Sequence, residues 1–163
     1  MRFATVMLLA GSMAAACGGG SSSALTQQQF TAMVNAICGS STASLQALPA
    51  PSVASITSPS ADDLPKLSTY LKAEVTVLES MHSKLTSLGT PPAKESQWSQ
   101  TLAALSTAVG DARMAQSAAA GGNAPQYSSA FAKLVQDVST LDQTFGAFGA
   151  AGCTSGGTST PSP

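Results

Sequence analysis

The segment from residue 64 to residue 88 repeats apolar residues at helical spacing more regularly than any other part of the chain. Its apolar positions, three, four or seven residues apart, are Leu64, Leu67, Leu71, Leu78, Met81, Leu85 and Leu88. This period puts them on one face of an α-helix, and that face must be buried against other elements. Asp62 or Asp63 can cap the helix, Pro65 would lie in its first turn, and Gly89 follows its last leucine. The sequence therefore predicts a long amphipathic helix.

Two segments that flank it along the chain have the same period. The first runs from Thr26 to about Leu48, and Thr26 forms a capping box with Gln29. Its apolar positions are Phe30, Met33, Val34, Ile37, Cys38, Leu45 and Leu48. The other starts with Thr90 as the cap and Pro91 in the first position. Its apolar face is Trp98, Leu102, Leu105, Val109 and Ala112, followed by the small residues 115–120, against which a neighbouring helix can pack closely.

A fourth segment begins at Asn123, after Gly121 and Gly122, with Pro125 in its first turn. Its apolar stripe comprises Tyr127, Phe131, Leu134, Val135, Val138, Leu141, Phe145 and Phe148. None of the four segments alternates with the period of two that strands require. The sequence predicts an all-α four-helix bundle over residues 25–153.

The connections constrain the order of the helices. Short turns make helices 2, 3 and 4 antiparallel neighbours. The loop at residues 49–60 contains Pro49, Pro51 and Pro59 and is long enough to reach either end of the bundle. The orientation of helix 1 is therefore open, with up-down-up-down as the default.

The first residues have the layout of a secretory signal. Arg2 supplies a positive start, residues 3–13 an apolar middle, and residues 14–16 are alanines before Cys17. The apolar part is shorter than the roughly 20 residues that cross a bilayer. We expect a signal peptide at residues 1–16, a Gly/Ser tether at residues 17–24 and a disordered Ser/Thr/Gly/Pro tail at residues 154–163.

Ala14-Ala15-Ala16-Cys17 resembles the lipobox of bacterial lipoproteins, although Ala14 stands where that family most often has a branched residue. The resemblance implies that Cys17 is lipidated and anchors the chain to a membrane on its extracytoplasmic side. The alternative is an ordinary signal-peptidase site with Cys17 as an incidental thiol. The mature part resembles small alanine- and serine-rich helical lipoproteins of bacterial envelopes, a general likeness that implies no activity.

The chain has three cysteines, an odd number for an exported protein. If Cys17 carries lipid, Cys38 and Cys153 remain and can form a disulfide in an oxidising compartment. The alternative is two buried free thiols. We expect the disulfide.

Charge and ligand count exclude several chemistries. Without Arg2, the chain has six basic and eight acidic residues. This balance gives no positive electrostatic field that would attract nucleic acid. Glu79 and the only histidine, His82, form one E-x-x-H. A di-iron bundle needs two such motifs and two further glutamates, but the chain has only three glutamates, Glu74, Glu79 and Glu95. Haem bound by His82 with Met33 or Met114 is an alternative, but C-x-x-C-H is absent. We expect no metal and no cofactor, and a surface Glu79–His82 pair.

No catalytic motif accompanies the helices. A serine hydrolase needs G-x-S-x-G after a strand, and a phosphate loop needs a glycine-rich turn there; the sequence has neither. Trp98, Tyr70 and Tyr127 would form either a binding surface or half-buried core. We expect a non-catalytic, lipid-anchored module that binds an envelope protein or an apolar ligand. The alternatives are an enzyme with an unrecognised site and a passive spacer.

Overall fold

The computed structural model describes residues 25–154. The predicted signal peptide at residues 1–16, Cys17, the rest of the predicted tether up to residue 24 and the predicted tail from residue 155 lie outside the described residues. Four helices make up the fold: α1 (Gln27–Gln46), α2 (Leu64–Ser87), α3 (Glu95–Ala120) and α4 (Ala124–Phe148). A short 3₁₀ helix, Ala151–Cys153, follows α4, and residues 25–154 contain no strand. The predicted all-α four-helix fold is confirmed.

Contacts at one end of the bundle give α1 its direction. The start of α1 lies beside the start of α3, where the Gln27 side-chain oxygen accepts a hydrogen bond from the Ala93 N–H at 3.1 Å. Phe30 of α1 packs against Trp98 of α3 and Phe148 at the end of α4, with ring centroids 5.2 and 6.0 Å apart. Helix α1 is therefore parallel to α3 and antiparallel to α2 and α4, in the up-down-up-down order.

Two of the three aromatic residues considered for a binding surface, Trp98 and Tyr127, belong to the core. Trp98 is 3% exposed and its indole N–H donates to the Gly89 carbonyl at 3.0 Å. Tyr127 is fully buried and stacks on Phe131 at 5.7 Å. Trp98 and Tyr127 therefore form no binding surface, and Tyr70 is half-buried.

The caps of α1 and α4 follow the sequence. Thr26 forms the predicted capping box with Gln29, and the Asn123 side chain accepts from the Gln126 N–H. Asp63 occupies the N-cap position of α2 without capping it. Its carboxylate instead accepts from the Ser60 hydroxyl at 2.7 Å and from Lys66 Nζ at 3.2 Å.

Helix α3 begins at Glu95, so the prediction of Thr90 as cap and Pro91 as first residue was wrong. A residue that precedes proline is disfavoured in the α conformation, and Pro91 precedes Pro92. Lys94 then takes a left-handed φ of 61° before the helix starts. From there its Nζ donates to the Phe148 carbonyl at 2.9 Å, at the negative end of α4. A tertiary contact therefore accompanies the delayed start.

Three residues of the predicted apolar stripes are exposed: Met33 by 40%, Val135 by 56% and Val138 by 36%. The helical spacing of the apolar stripes predicted that these residues face the core. Helix α1 instead packs against α2 and the 3₁₀ helix, and the 3₁₀ helix also packs against α4. Space is left between α1 and α4.

Candidate ligand-binding site

The residues after α4 return towards α1. Cys38 and Cys153 are joined by a disulfide with a Cα–Cα distance of 5.1 Å, as expected from the sequence. Next to it, the Gly152 N–H donates to the Asn35 side-chain oxygen at 3.1 Å. These contacts fix the residues after Gly149 against the middle of α1, where they bound one end of the space between α1 and α4.

A groove of about 500 Å³ occupies that space. We call it the α1–α4 groove; it lies between the second half of α1, the middle of α2 and α4. Its apolar lining is Leu45, Leu78, Met81, Leu134, Val138, Leu141 and Phe145. The volume falls within the roughly 300–1,000 Å³ of small-molecule sites, which are mostly apolar with a few polar groups. The groove therefore has the size and lining of a ligand site.

The small side chains of α1 account for the groove. Residues 39–44 read Gly-Ser-Ser-Thr-Ala-Ser, and four of them line it: Gly39, Ser41, Thr42 and Ala43. A Cβ placed on Gly39 would meet nothing within 4 Å. Larger residues here would fill the space against α4, so the composition of α1 keeps the groove open.

Glu74 lies in the groove at a position that the helical period would give to an apolar residue, between Leu71 and Leu78. It is half-buried, and burial raises the pKa of its carboxyl. Within residues 25–154 its carboxylate has no hydrogen bond and no ion pair. The sequence analysis considered Glu74 only as a metal ligand. The signal that it lies in the groove was its place in the α2 stripe, where an apolar residue is expected.

Ser41 contributes a second unsatisfied polar group. It lines the groove from α1, is only 6% exposed, and its hydroxyl has no hydrogen-bond partner in the described part of the chain. Serines inside helices commonly bond to the carbonyl four residues earlier, as Ser44 does with Ser40. The Ser41 hydroxyl is therefore available to a ligand.

A second buried acid, which the sequence analysis missed, lies between α3 and α4. The Asp111 side chain is 2% exposed and accepts from Lys133 Nζ with both oxygens, at 2.9 and 2.8 Å. Burial alone would raise the pKa of Asp111, but hydrogen bonds from Asp137 and Lys133 outweigh it and hold that pKa below its usual value. The bond to Asp111 raises the pKa of Asp137. These groups satisfy one another, so they form a structural network.

Glu79 and His82 do not form the expected pair. Glu79 accepts from Arg113 of α3, with Nη2 at 2.7 Å, and His82 lines the same shallow depression. Met33 and Met114, the proposed haem partners, are exposed and do not line that depression. Residues 25–154 contain no group of three or more His, Cys, Asp or Glu side chains arranged to hold a metal.

Tyr127 carries the one fully buried side-chain polar atom without a partner among the described residues, its hydroxyl oxygen. Burial, with a smaller contribution from the charge of Glu74, raises its pKa to about 12. The phenol therefore stays neutral at physiological pH.

No helix between residues 25 and 154 is both long enough and apolar enough to span a bilayer. Comparison of the chain with protein-family models, with curated proteins and with solved structures gave no match.

Proposed function

We propose that this protein is a non-catalytic, lipid-anchored helical module on the extracytoplasmic side of a membrane, and that it binds an apolar ligand in the α1–α4 groove. The groove carries the proposal. Its lining is mainly apolar and its volume is about 500 Å³. Apolar area that a ligand covers contributes about 25 cal/mol per Å² to binding, before the costs of association.

The anchor is supported by the lipobox-like sequence at Cys17 and by the Cys38–Cys153 disulfide. Disulfides persist in oxidising, extracytoplasmic compartments and are rare in the cytosol. A lipidated cysteine of that family carries at least two acyl chains, and two chains give stable membrane attachment where one is marginal. The Gly/Ser residues 18–23 would then separate the bundle from the membrane surface.

Binding is tested with residues 18–163, which include the whole fold described above. The neutral fluorophore N-phenyl-1-naphthylamine reports entry into an apolar site by an increase in emission. We expect saturable binding that Gly39→Leu abolishes, since the new side chain enters the groove. The matched control is Gly146→Leu, which lies in α4, is not among the residues that line the groove, and also has nothing within 4 Å of a new Cβ. Equal binding by all three proteins would contradict the proposed site.

The anchor is tested on the full-length protein produced in a bacterial host. Intact mass of the membrane fraction should show residues 17–163 plus a diacylglyceryl group, with or without a further acyl chain. A Cys17→Ala variant should lose the added mass and leave the membrane fraction. An unmodified Cys17 in membrane-bound protein would contradict lipid anchoring.

A further inference from the structure

Among residues 25–154, the α1–α4 groove is lined by acidic residues and by no basic ones. Glu74 and Asp142 both line it, and its described lining includes no lysine, arginine or histidine. Acidic groups with low-dielectric walls around them attract positive charge and repel negative charge. Charge complementarity therefore favours a ligand that combines an apolar part with a positive group.

Glu74 is a groove acid that has no hydrogen bond or ion pair within residues 25–154. Asp111, which is more deeply buried, has Lys133 to balance its charge, and Glu79 has Arg113. Glu74 has no such cation within residues 25–154, and its surroundings disfavour its ionised form. A cation bound beside Glu74 would stabilise the carboxylate, as Lys133 does for Asp111.

Ser41 offers a second contact on the α1 wall. Ser41 is 6% exposed and lines the groove, and no described donor uses the two lone pairs of its hydroxyl oxygen. An ammonium group carries three N–H donors, so it can donate to a carboxylate and to a hydroxyl together. A carboxylate head group would meet repulsion from Glu74 and Asp142, and an uncharged alcohol would gain a hydrogen bond without an ion pair.

We propose that the ligand of the α1–α4 groove is an amphiphile with one apolar chain and a primary-amine head, held by an ion pair to Glu74 and a hydrogen bond to Ser41. The apolar residues Leu78, Leu134 and Phe145 contact its chain. The proposal deepens the proposed function and rests on it, because it requires the groove to be a ligand site at all.

Displacement of the neutral fluorophore by three ligands of equal chain length separates the head groups. The ligands are dodecylamine, dodecanol and dodecanoate, with the two ionic ligands used below the concentration at which they form micelles and dodecanol used below its solubility limit. We expect dodecylamine to bind about tenfold or more tightly than dodecanol, and dodecanoate to bind most weakly. Glu74→Gln should remove the preference for the amine and leave dodecanol affinity within about twofold.

Glu79→Gln is the matched control, because Glu79 lies on the same helix and outside the groove. It should keep the full preference for the amine. Ser41→Ala is a second variant and should weaken amine binding about fivefold. Circular dichroism of each variant establishes that it is folded.

Equal binding of the three ligands, or tightest binding of dodecanoate, would overturn the amine proposal and leave the apolar site standing. Failure of all three ligands and of the fluorophore to bind would overturn the proposed function as well. A dimer that Gly39→Leu dissociates and that excludes the fluorophore would identify a second copy as the occupant, and would overturn the amine proposal.

Discussion

Lys133 on α4 places its Nζ within 2.9 Å of both carboxylate oxygens of Asp111 on α3, whose side chain is 98% buried. The lysine itself is 55% exposed, so it reaches inwards from the surface to balance the charge of a buried acid. This contact joins the two helices that form the closest-packed pair of the bundle.

Asp111→Asn is expected to lower the thermal midpoint at pH 7, because the amide loses the charge-assisted bonds to Lys133. The folded-state pKa of Asp111 is lowered, so its stabilisation is fully present above the unfolded-state pKa of about 3.9. That stabilisation is lost as the pH falls through the folded-state pKa. The difference between wild type and variant should therefore shrink in acid. Thermal melts between pH 7 and pH 2.5 measure it; a difference that stays constant with pH would contradict the assignment.

Glu74→Gln is expected to stabilise the ligand-free protein at pH 8. Burial raises the folded-state pKa of Glu74. The stability that the protonated carboxyl contributes is therefore fully present below the unfolded-state pKa of about 4.3 and is lost as the pH rises through the folded-state pKa. Glutamine mimics the protonated acid, so wild type and variant should have similar midpoints at pH 4. Glu79→Gln, which breaks the Arg113 pair, should not stabilise at either pH. A Glu74→Gln protein less stable than wild type at pH 8 would contradict the burial argument.

Replacing Gly39 and Gly89 by alanine should change stability in opposite directions, although both positions have room for a Cβ. A Cβ on Gly39, inside α1, and a Cβ on Gly89, after α2, would each meet nothing within 4 Å. Gly39→Ala should stabilise by about 1 kcal/mol, since alanine favours a helix interior. Gly89 has a φ of +75°, so Gly89→Ala should destabilise by about 1 kcal/mol. Urea unfolding measures both; changes of the same sign would show that the backbone conformation is misassigned.

The double variant Cys38→Ser/Cys153→Ser should lose about 2–4 kcal/mol of stability, because the disulfide closes a loop of 115 residues in the unfolded chain. Loss of the bridge should also release Gly152 from Asn35 and expose the adjacent end of the groove. Urea unfolding under non-reducing conditions measures the effect. Cys17→Ser serves as the control, and a similar loss in that variant would show that the effect is not specific to the bridge.

The helices themselves could be predicted because each carries its own periodic stripe, and the caps at Thr26 and Asn123 depend only on neighbouring residues. The start of α3 could not, since it depends on Lys94, which adopts a left-handed conformation and reaches the carbonyl of Phe148, 54 residues away. The exposure of Val138 could not be predicted either, because it depends on how closely α1 approaches α4.

The candidate site was only partly visible in the sequence. The small residues 39–44 of α1 are visible in the sequence, but the sequence alone does not show that they leave a cavity. Glu74 interrupts the predicted stripe of α2, whereas Asp111 lies off the predicted stripe of α3, and the sequence does not show which of the two has a partner. The structure does, because Lys133 satisfies Asp111 and no described cation satisfies Glu74.

Native mass spectrometry of the full-length protein, extracted in mild detergent from cells that make it, tests the central claim most directly. We predict that wild type and Gly146→Leu retain a non-covalent ligand of one defined mass, and that Gly39→Leu, which fills the α1–α4 groove, has none. The same bound mass in all three proteins, or its absence from wild type, would contradict a ligand site in this groove.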